Sequence, residues 1–350
     1  MYTPHYHITN SILDSLTQIE AIRSRVASSY IVPEREIELR YRATVEATHS
    51  STSIEGNPLN IKQVEKILSD KTPLTRHQYA EIEVKNYKKA IDFIDKRKTV
   101  KEKITTQDIL DIHKIITKDL LDDEKVGAWR QNQVYIENQK GETIYDGSAP
   151  EIVPVAIEKL LAWLNDESYD INPVIAAALL HFQFVSIHPF ADGNGRTTRA
   201  LVSLYLGLRD YDFKGSLVLD SYYSTDKKAY YNALHESQGA NYEASQKNDV
   251  TSWIEYFAEG FLSAAKVLAA EVTLLSSIAS SAPGGKKLTR DEMDLISYVN
   301  QFGQVTLSEA EDVLAGTPRR TVQRRLKNLV DEGYLKMDGS TNSTTYIMNK

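Results

Sequence analysis

The chain has 350 residues, 41% hydrophobic and 25% charged, with a formal net charge of −7 and no cysteine. That length accommodates two or three domains with hydrophobic cores, and the acidic balance excludes a protein that coats nucleic acid along its whole surface. Lack of cysteine excludes disulfides, thiolate metal centres and thiol nucleophiles, and it fits a reducing, cytoplasmic setting.

No apolar run approaches the roughly 18 residues of a membrane span, so no membrane partner is expected. The opening Met1-Tyr2-Thr3-Pro4-His5 shows no basic region followed by an apolar stretch, and so no secretory signal. Apolar spacing then predicts a mainly α-helical protein. A polar–apolar stretch from about Ile12 to Thr48 ends in His49-Ser50-Ser51-Thr52-Ser53, a hydroxyl cluster of the kind that starts or punctuates helices, and Glu55-Gly56-Asn57-Pro58 stops regular structure. Helical periodicity returns over Gln78–Lys96 and Thr106–Leu121. Val134-Tyr135-Ile136, a turn at Asn138–Gly141 and Thr143-Ile144-Tyr145 read as a β-hairpin. Further helices are predicted over Val153–Asn165, Pro173–Phe184, Asn194–Leu208, Lys227–Leu234 and Val250–Ile278.

Ser280-Ser281-Ala282-Pro283-Gly284-Gly285 has the composition of a linker. Beyond it, short helices are predicted over Arg290–Asn300, Leu307–Leu314 and Pro318–Glu332, with β-prone Tyr334–Met337 and Thr344–Met348 flanking Asp338-Gly339-Ser340. Three helices and a two-stranded wing make a winged helix-turn-helix. The expected organisation is an N-terminal helical region over 1–100, a catalytic domain over 101–279, a linker over 280–287 and the winged helix-turn-helix over 288–350.

The densest chemistry lies in His188-Pro189-Phe190-Ala191-Asp192-Gly193-Asn194-Gly195-Arg196-Thr197-Thr198-Arg199. Gly193-Asn194-Gly195 leaves backbone N–H groups unobstructed where a helix begins, and such a start binds phosphate through unpartnered donors and the positive end of the helix dipole. Arg196 and Arg199 lie three apart, on adjacent faces of the first turns, within reach of a polyphosphate. Asp192 is placed to hold a divalent cation such as Mg²⁺ that bridges phosphates. His188 can take a proton from an incoming hydroxyl near neutral pH. Phe190 reads as a core anchor for the loop.

This stretch meets, at every defined position, the signature His-Pro-Phe-x-(Asp/Glu)-Gly-Asn-Gly-Arg-x-x-Arg, and the chain resembles the Fic (Fido) family. The likeness runs from about Ile104 to Phe257 and includes Gly127-Ala128-Trp129-Arg130. It implies an all-α core with one hairpin and transfer of AMP from Mg-ATP to a Ser, Thr or Tyr hydroxyl of a protein, the chain's own hydroxyls included. His188 would be the base, Asp192 would hold Mg²⁺, and the Gly193–Gly195 amides would meet the α- and β-phosphates. Val134, Tyr135 and Ile136 would belong to a flap that docks an extended target segment by main-chain pairing. Tyr230-Tyr231 resembles tyrosines beside the nucleotide base. Ser51-Thr52-Ser53-Ile54-Glu55-Gly56 resembles the family's inhibitory motif (Ser/Thr)-x-x-x-Glu-(Gly/Asn), in which Glu55 would take Arg199 away from the ATP γ-phosphate.

Arg319, Arg320, Arg324, Arg325 and Lys327 lie between Thr317 and Lys327 with no acidic residue among them, a footprint that suits DNA in an otherwise acidic chain. Winged helices also serve protein docking and dimerisation, so a homodimer stays open. The alternative function is a DNA-binding transcription regulator whose Fic portion senses nucleotide; an intact His188 argues against it, since a sensor has no need of a general base.

Overall fold

The computed structural model describes residues 2–69, 78–137, 143–281, 288–338 and 344–349. The chain divides into two compact units, Met1–Ala270 and Glu271–Lys350.

In the first unit, Thr9 caps α1 (Asn10–Ser28) by accepting from the Ile12 N–H at 3.2 Å, and Ile12, Ile19, Ile22 and Val26 form its buried stripe. Pro33 then occupies the first turn of α2 (Pro33–Ile54). The single stretch expected from Ile12 to Thr48 is therefore two helices. The hydroxyl cluster His49–Ser53, expected to start or punctuate a helix, lies in the last turns of α2 just before it stops. Thr48 and Thr52 donate to the carbonyls one turn back, at 2.7 and 2.8 Å, so the hydroxyls are satisfied within the helix. The stop at Glu55–Pro58 is observed, with Gly56 at φ +96°.

A helix the sequence pattern did not announce, α3 (Ile61–Ser69), closes a small core of Val45, Leu59, Val64, Ile67, Ala80 and Val84 against α4 (Gln78–Arg97). Next comes α5 (Thr106–Thr117), begun by a reciprocal cap between Thr105 and Asp108. Strands β1 (Tyr135–Glu137) and β2 (Thr143–Asp146) pair antiparallel, one residue further on than expected for β1. Their expected turn, Asn138–Gly141, lies outside the described residues. After α6 (Val153–Asn165), α7 (Pro173–Ile187) and α8 (Asn194–Leu208) form the centre. Both are buried on almost every face, as helices enclosed by others must be. Around them pack α2, α4, α5 and α6, with α9 (Asp220–Thr225) against α2 and α10 (Lys227–Gln238) and α11 (Tyr242–Ser245) against α7. The long α12 (Thr251–Ser281) follows. It carries regular helix two residues into the expected linker, whose remaining residues, 282–287, lie outside the described set.

The second unit contains α13 (Arg290–Phe302), α14 (Leu307–Val313) and α15 (Arg319–Asp331). Its sheet has β3 (Gln304–Thr306), β4 (Leu335–Asp338) and β5 (Thr345–Met348) in the antiparallel order β3-β5-β4. Two strands were expected. β3 was missed because it is three residues long, wedged between Gly303 at φ +84° and the Thr306 cap of α14. Leu295, Ile296, Val299, Val322, Leu326 and Leu329 fill the core of this unit. Among the described residues no helix is long and apolar enough to cross a membrane.

Candidate active site

The site grows from the loop joining α7 to α8. His188 ends α7 in the left-handed conformation at φ 52°, unusual for a residue with a side chain, and its N–H bonds the Phe184 carbonyl at 3.1 Å. Arg130 holds this turn. Its Nε donates to the His188 carbonyl at 2.7 Å, its Nη2 to the Ser148 carbonyl, and its backbone N–H to the Pro189 carbonyl at 3.0 Å. Phe190 is fully buried, stacked on His113 with ring centres 3.6 Å apart and on Trp129 at 5.0 Å. The Gly127 N–H donates to His113 Nδ1 at 3.0 Å, so Nε2 carries the ring proton and donates to the Asp192 carbonyl, also at 3.0 Å. Burial drives the His113 pKa down to about 4, which keeps this neutral tautomer. The Asn194 side chain closes the loop, accepting from the Phe190 N–H at 2.9 Å and donating to its carbonyl at 2.8 Å. Gly193, at φ +79°, must be glycine: a Cβ there would sit 2.9 Å from Thr117 Cγ2.

A cleft of about 870 Å³ opens beside this loop, within the roughly 300–1,000 Å³ usual for small-ligand sites. His188, Gly195, Arg199, Tyr230, Tyr231, Glu55 and the hairpin residues Val134, Tyr135 and Ile136 all line it. His188 Nδ1 lies 3.3 Å from the Val185 carbonyl; a carbonyl only accepts, so Nδ1 bears the proton and Nε2 keeps a free lone pair. Burial lowers the His188 pKa to about 4, so the ring is neutral at pH 7. Tyr230 is buried, with its hydroxyl 3.1 Å from His181 Nε2, while Tyr231 is 46% exposed, and their rings are 5.1 Å apart.

Arg199 is 2% exposed and held from two sides. From the end of α2, Glu55 Oε1 accepts from Nη2 at 2.7 Å, the Ser51 carbonyl from Nη2 at 2.8 Å, and Ser51 Oγ from Nε at 2.8 Å. From α9, Asp220 Oδ1 lies 3.2 Å from Nε. Burial pulls the Arg199 pKa down, but Glu55 and Asp220 outweigh it and the guanidinium stays charged. Burial likewise pushes Asp220 up to about 6, against the pull of Arg199. Gly195 is what lets Glu55 in, because a Cβ there would collide with Oε1. Lys227 Nζ donates to the Ser53 carbonyl, fastening the same end of α2.

The remaining predicted residues do not line the cleft. Arg196, 5% exposed, pairs with Glu83 of α4 at 2.5 Å, and Glu83 also accepts from Asn57 Nδ2 at 2.6 Å. The two arginines expected together on a polyphosphate are thus parted, Arg199 at the cleft and Arg196 beneath the loop. Gly193 and Asn194 build the loop as described. The Asp192 side chain is 53% exposed, and its Oδ1 accepts from the Gly193 N–H at 2.5 Å and from Arg196 Nη2 at 3.4 Å. Among the described residues no three His, Asp or Glu side chains gather as a metal cage.

Glu83, Asp220, His113, Arg130 and Lys227 shape this site without a role foreseen in the sequence, and Ser51, the first position of the inhibitory motif, does so by holding Arg199. Arg130 belongs to the family-like Gly127-Ala128-Trp129-Arg130, and His113 holds an apolar position of α5, a visible oddity. Asp220 and Glu83 carried no local signal, since each meets its arginine only through tertiary packing.

In the second unit, α15 buries Val322, Leu326 and Leu329 and exposes Arg320, Arg324 and Lys327 on the other side. Arg319 pairs with Glu311 at 2.9 Å, and Arg325 lies 3.4 Å from Glu292 and 3.5 Å from Asp291. The expected stripe of five cations therefore has three without an ion pair among the described residues.

Residues 103–206 match the model of the Fic/DOC family. The chain is 31% identical over 193 residues to "Protein adenylyltransferase Fic" of Drosophila willistoni, a match over 55% of this chain and 37% of that one. To the protein of the same name in Drosophila melanogaster it is 32% identical over 206 residues, 57% of this chain and 40% of that one. It thus spans about two fifths of the length of these curated relatives. Among solved structures, a Fic family protein from Desulfovibrio desulfuricans G20 has a TM-score of 0.65 at 21% identity, over 99% of this chain and 98% of that one. Fic-1 from C. elegans has a TM-score of 0.57 at 24% identity, over 78% and 74% of the two chains. At these identities the structural likeness speaks for the fold.

Proposed function

We propose that the chain is a protein adenylyltransferase that moves AMP from ATP to a Ser, Thr or Tyr hydroxyl, restrained by its own Glu55. One observation carries the reading: a neutral His188 with free Nε2, the open start of α8 at Gly195 and the buried guanidinium of Arg199 face a single cleft. The target oxygen attacks the α-phosphorus, its proton passes to His188 Nε2, and the bond to pyrophosphate breaks; the protein's part is positioning and charge stabilisation. The curated relatives named for this activity support it. Glu55 acts as the brake because it occupies Arg199 and lies against Gly195, where the terminal phosphates would go. Tyr230 and Tyr231 flank the nucleotide base, and the β1–β2 hairpin presents the target segment.

A lone, half-open carboxylate suits Mg²⁺, an ion held by one or two carboxylates and by the phosphates themselves, so Asp192 is the residue that would bind it. The ion would supply neutralisation of phosphate charge. We assign the unit beyond α12, with α13–α15 and its three-stranded sheet, as a winged helix-turn-helix that contacts DNA through Arg320, Arg324 and Lys327. The cysteine-free composition suits the cytoplasm, and exposed tyrosines suit self-modification. The free Nε2 of His188 speaks against a purely nucleotide-sensing regulator. Transfer of label from ATP by the wild type and by His188→Ala tests the assignment, and equal transfer by both would overturn it.

A further inference from the structure

Arg199 meets two carboxylates, and only one of them belongs to the brake. Glu55 and Ser51 both sit on the last turns of α2, so a shift of that end which unseats the carboxylate withdraws Ser51 as well. The carboxylate that stays beside the guanidinium is Asp220, the first residue of α9, at 3.2 Å from Nε and 14% exposed, with the Tyr230 hydroxyl also within its reach. A buried guanidinium stripped of every anion carries a large desolvation penalty and turns toward whatever acceptor it can reach.

Unpartnered polar groups adjoin it. A cavity of about 40 Å³ adjoins Arg199, lined by His181, Leu206, Asp220 and Tyr223 and not by Glu55. His181 Nδ1 and Tyr223 Oη are buried with no hydrogen-bond partner among the described residues, as is Arg199 Nη1. Space and unsatisfied polar atoms together invite the guanidinium to retreat from the cleft once α2 lets go. Asp220 opposes this by engaging Nε, which leaves Nη1 beside the start of α8. A Cβ on Gly195 would lie only 3.1 Å from Nη1.

We infer that Asp220 is a positioning residue: it keeps the Nη1–Nη2 edge of Arg199 presented to the cleft after Glu55 withdraws, so that the arginine can grip the terminal phosphate as a two-pronged donor. This rests on the reading that Arg199 receives that phosphate.

The test uses the full chain carrying Glu55→Gly. Binding of AMP, and of an ATP analogue with a methylene between its α- and β-phosphates, is measured by calorimetry. Asp220→Asn, and separately Asp220→Ala, should weaken the analogue on the order of tenfold, the usual scale for losing a partner that orients a ligand-binding side chain, and leave AMP unchanged. Arg199→Ala should weaken the analogue at least as much, and adding Asp220→Asn to it should do nothing more. If Arg199→Ala weakens the analogue and neither Asp220 variant does, the inference is overturned while Arg199 keeps its role. If both Asp220 variants weaken AMP and analogue alike and lower the melting temperature, Asp220 is structural and the inference is again overturned. If Arg199→Ala itself leaves the analogue's affinity intact, the phosphate role of Arg199 fails and this inference with it.

Discussion

If the chain transfers AMP as proposed, replacing Glu55 with glycine should raise that transfer, and the structure sets the size of the effect. The carboxylate lies 2.7 Å from Arg199 Nη2, with the guanidinium 2% and the carboxylate 27% exposed. A hydrogen bond between charged groups in such a place contributes about 1.5–3 kcal/mol. Two features pull the value toward the lower end. The carboxylate keeps some water, and Asp220 at 3.2 Å already compensates the same cation and repels Glu55. Removing Glu55 takes the Arg199–Glu55–Asp220 group from a net charge of −1 to neutral rather than leaving a bare cation. ATP should therefore gain about 1–2 kcal/mol, or roughly five- to thirtyfold in binding. Initial rates of label transfer from Mg-ATP, self-modification included, give KM for ATP directly, and low ATP is where the difference is largest. Little stability should be lost, because Glu55 ends α2 with its side chain partly in water, and Ser51 and Asp220 still hold Arg199. A structural glutamate would behave the opposite way, lowering the melting temperature without raising transfer. Equal KM and equal rates for wild type and Glu55→Gly would refute the brake.

His188→Ala should cut transfer by about 10²–10⁴-fold, the usual cost of a lost general base, while nucleotide titration shows near wild-type ATP binding. The pH profile should also be distinctive. Burial lowers the His188 pKa to about 4, so the free base persists as pH falls, and the acid limb of kcat/KM in Glu55→Gly should lie near pH 4. An acid limb centred near 6.5, the ordinary imidazole value, would contradict that burial. For DNA, the full chain should bind duplex with an affinity that falls steeply with salt, and each of Arg320→Ala, Arg324→Ala and Lys327→Ala should lower the salt slope by about one. Arg325→Ala should instead lower the melting temperature, since Arg325 contacts Asp291 and Glu292. No binding at low salt would remove DNA as the partner of this unit.

How much of this could be read in one dimension depends on where each determinant sits. α6 and α8 have the expected bounds because their signals are local: Pro154 sits in the first turn of one, and Gly193 caps the other. The Ile12–Thr48 stretch misled because helix-compatible residues run up to the break on both sides, and only Pro33 marks the second start. The hydroxyl cluster left start and end of a helix open, because serine and threonine can cap a helix or sit within it, depending on whether the carbonyl one turn back is available.

The site divides along the same line. His188, Gly193, Asn194 and Gly195 act through their immediate neighbours, so their spacing nearly determines their geometry. Arg196 and Arg199 do not. They are the same residue type on one helix, three positions apart and so turned about 60° from one another. That turn brings one against Glu83 of α4 and the other against Glu55 of α2 and Asp220 of α9. Periodicity could tell that the two point differently; it could not tell which would meet the cleft, because the deciding carboxylates are 113, 144 and 21 positions away along the chain. On the proposed function, the anion-binding loop is thus set locally, whereas the contacts on its two arginines come from helices distant in sequence. Substitutions that alter regulation without touching catalysis should therefore be sought on α2, α4 and α9.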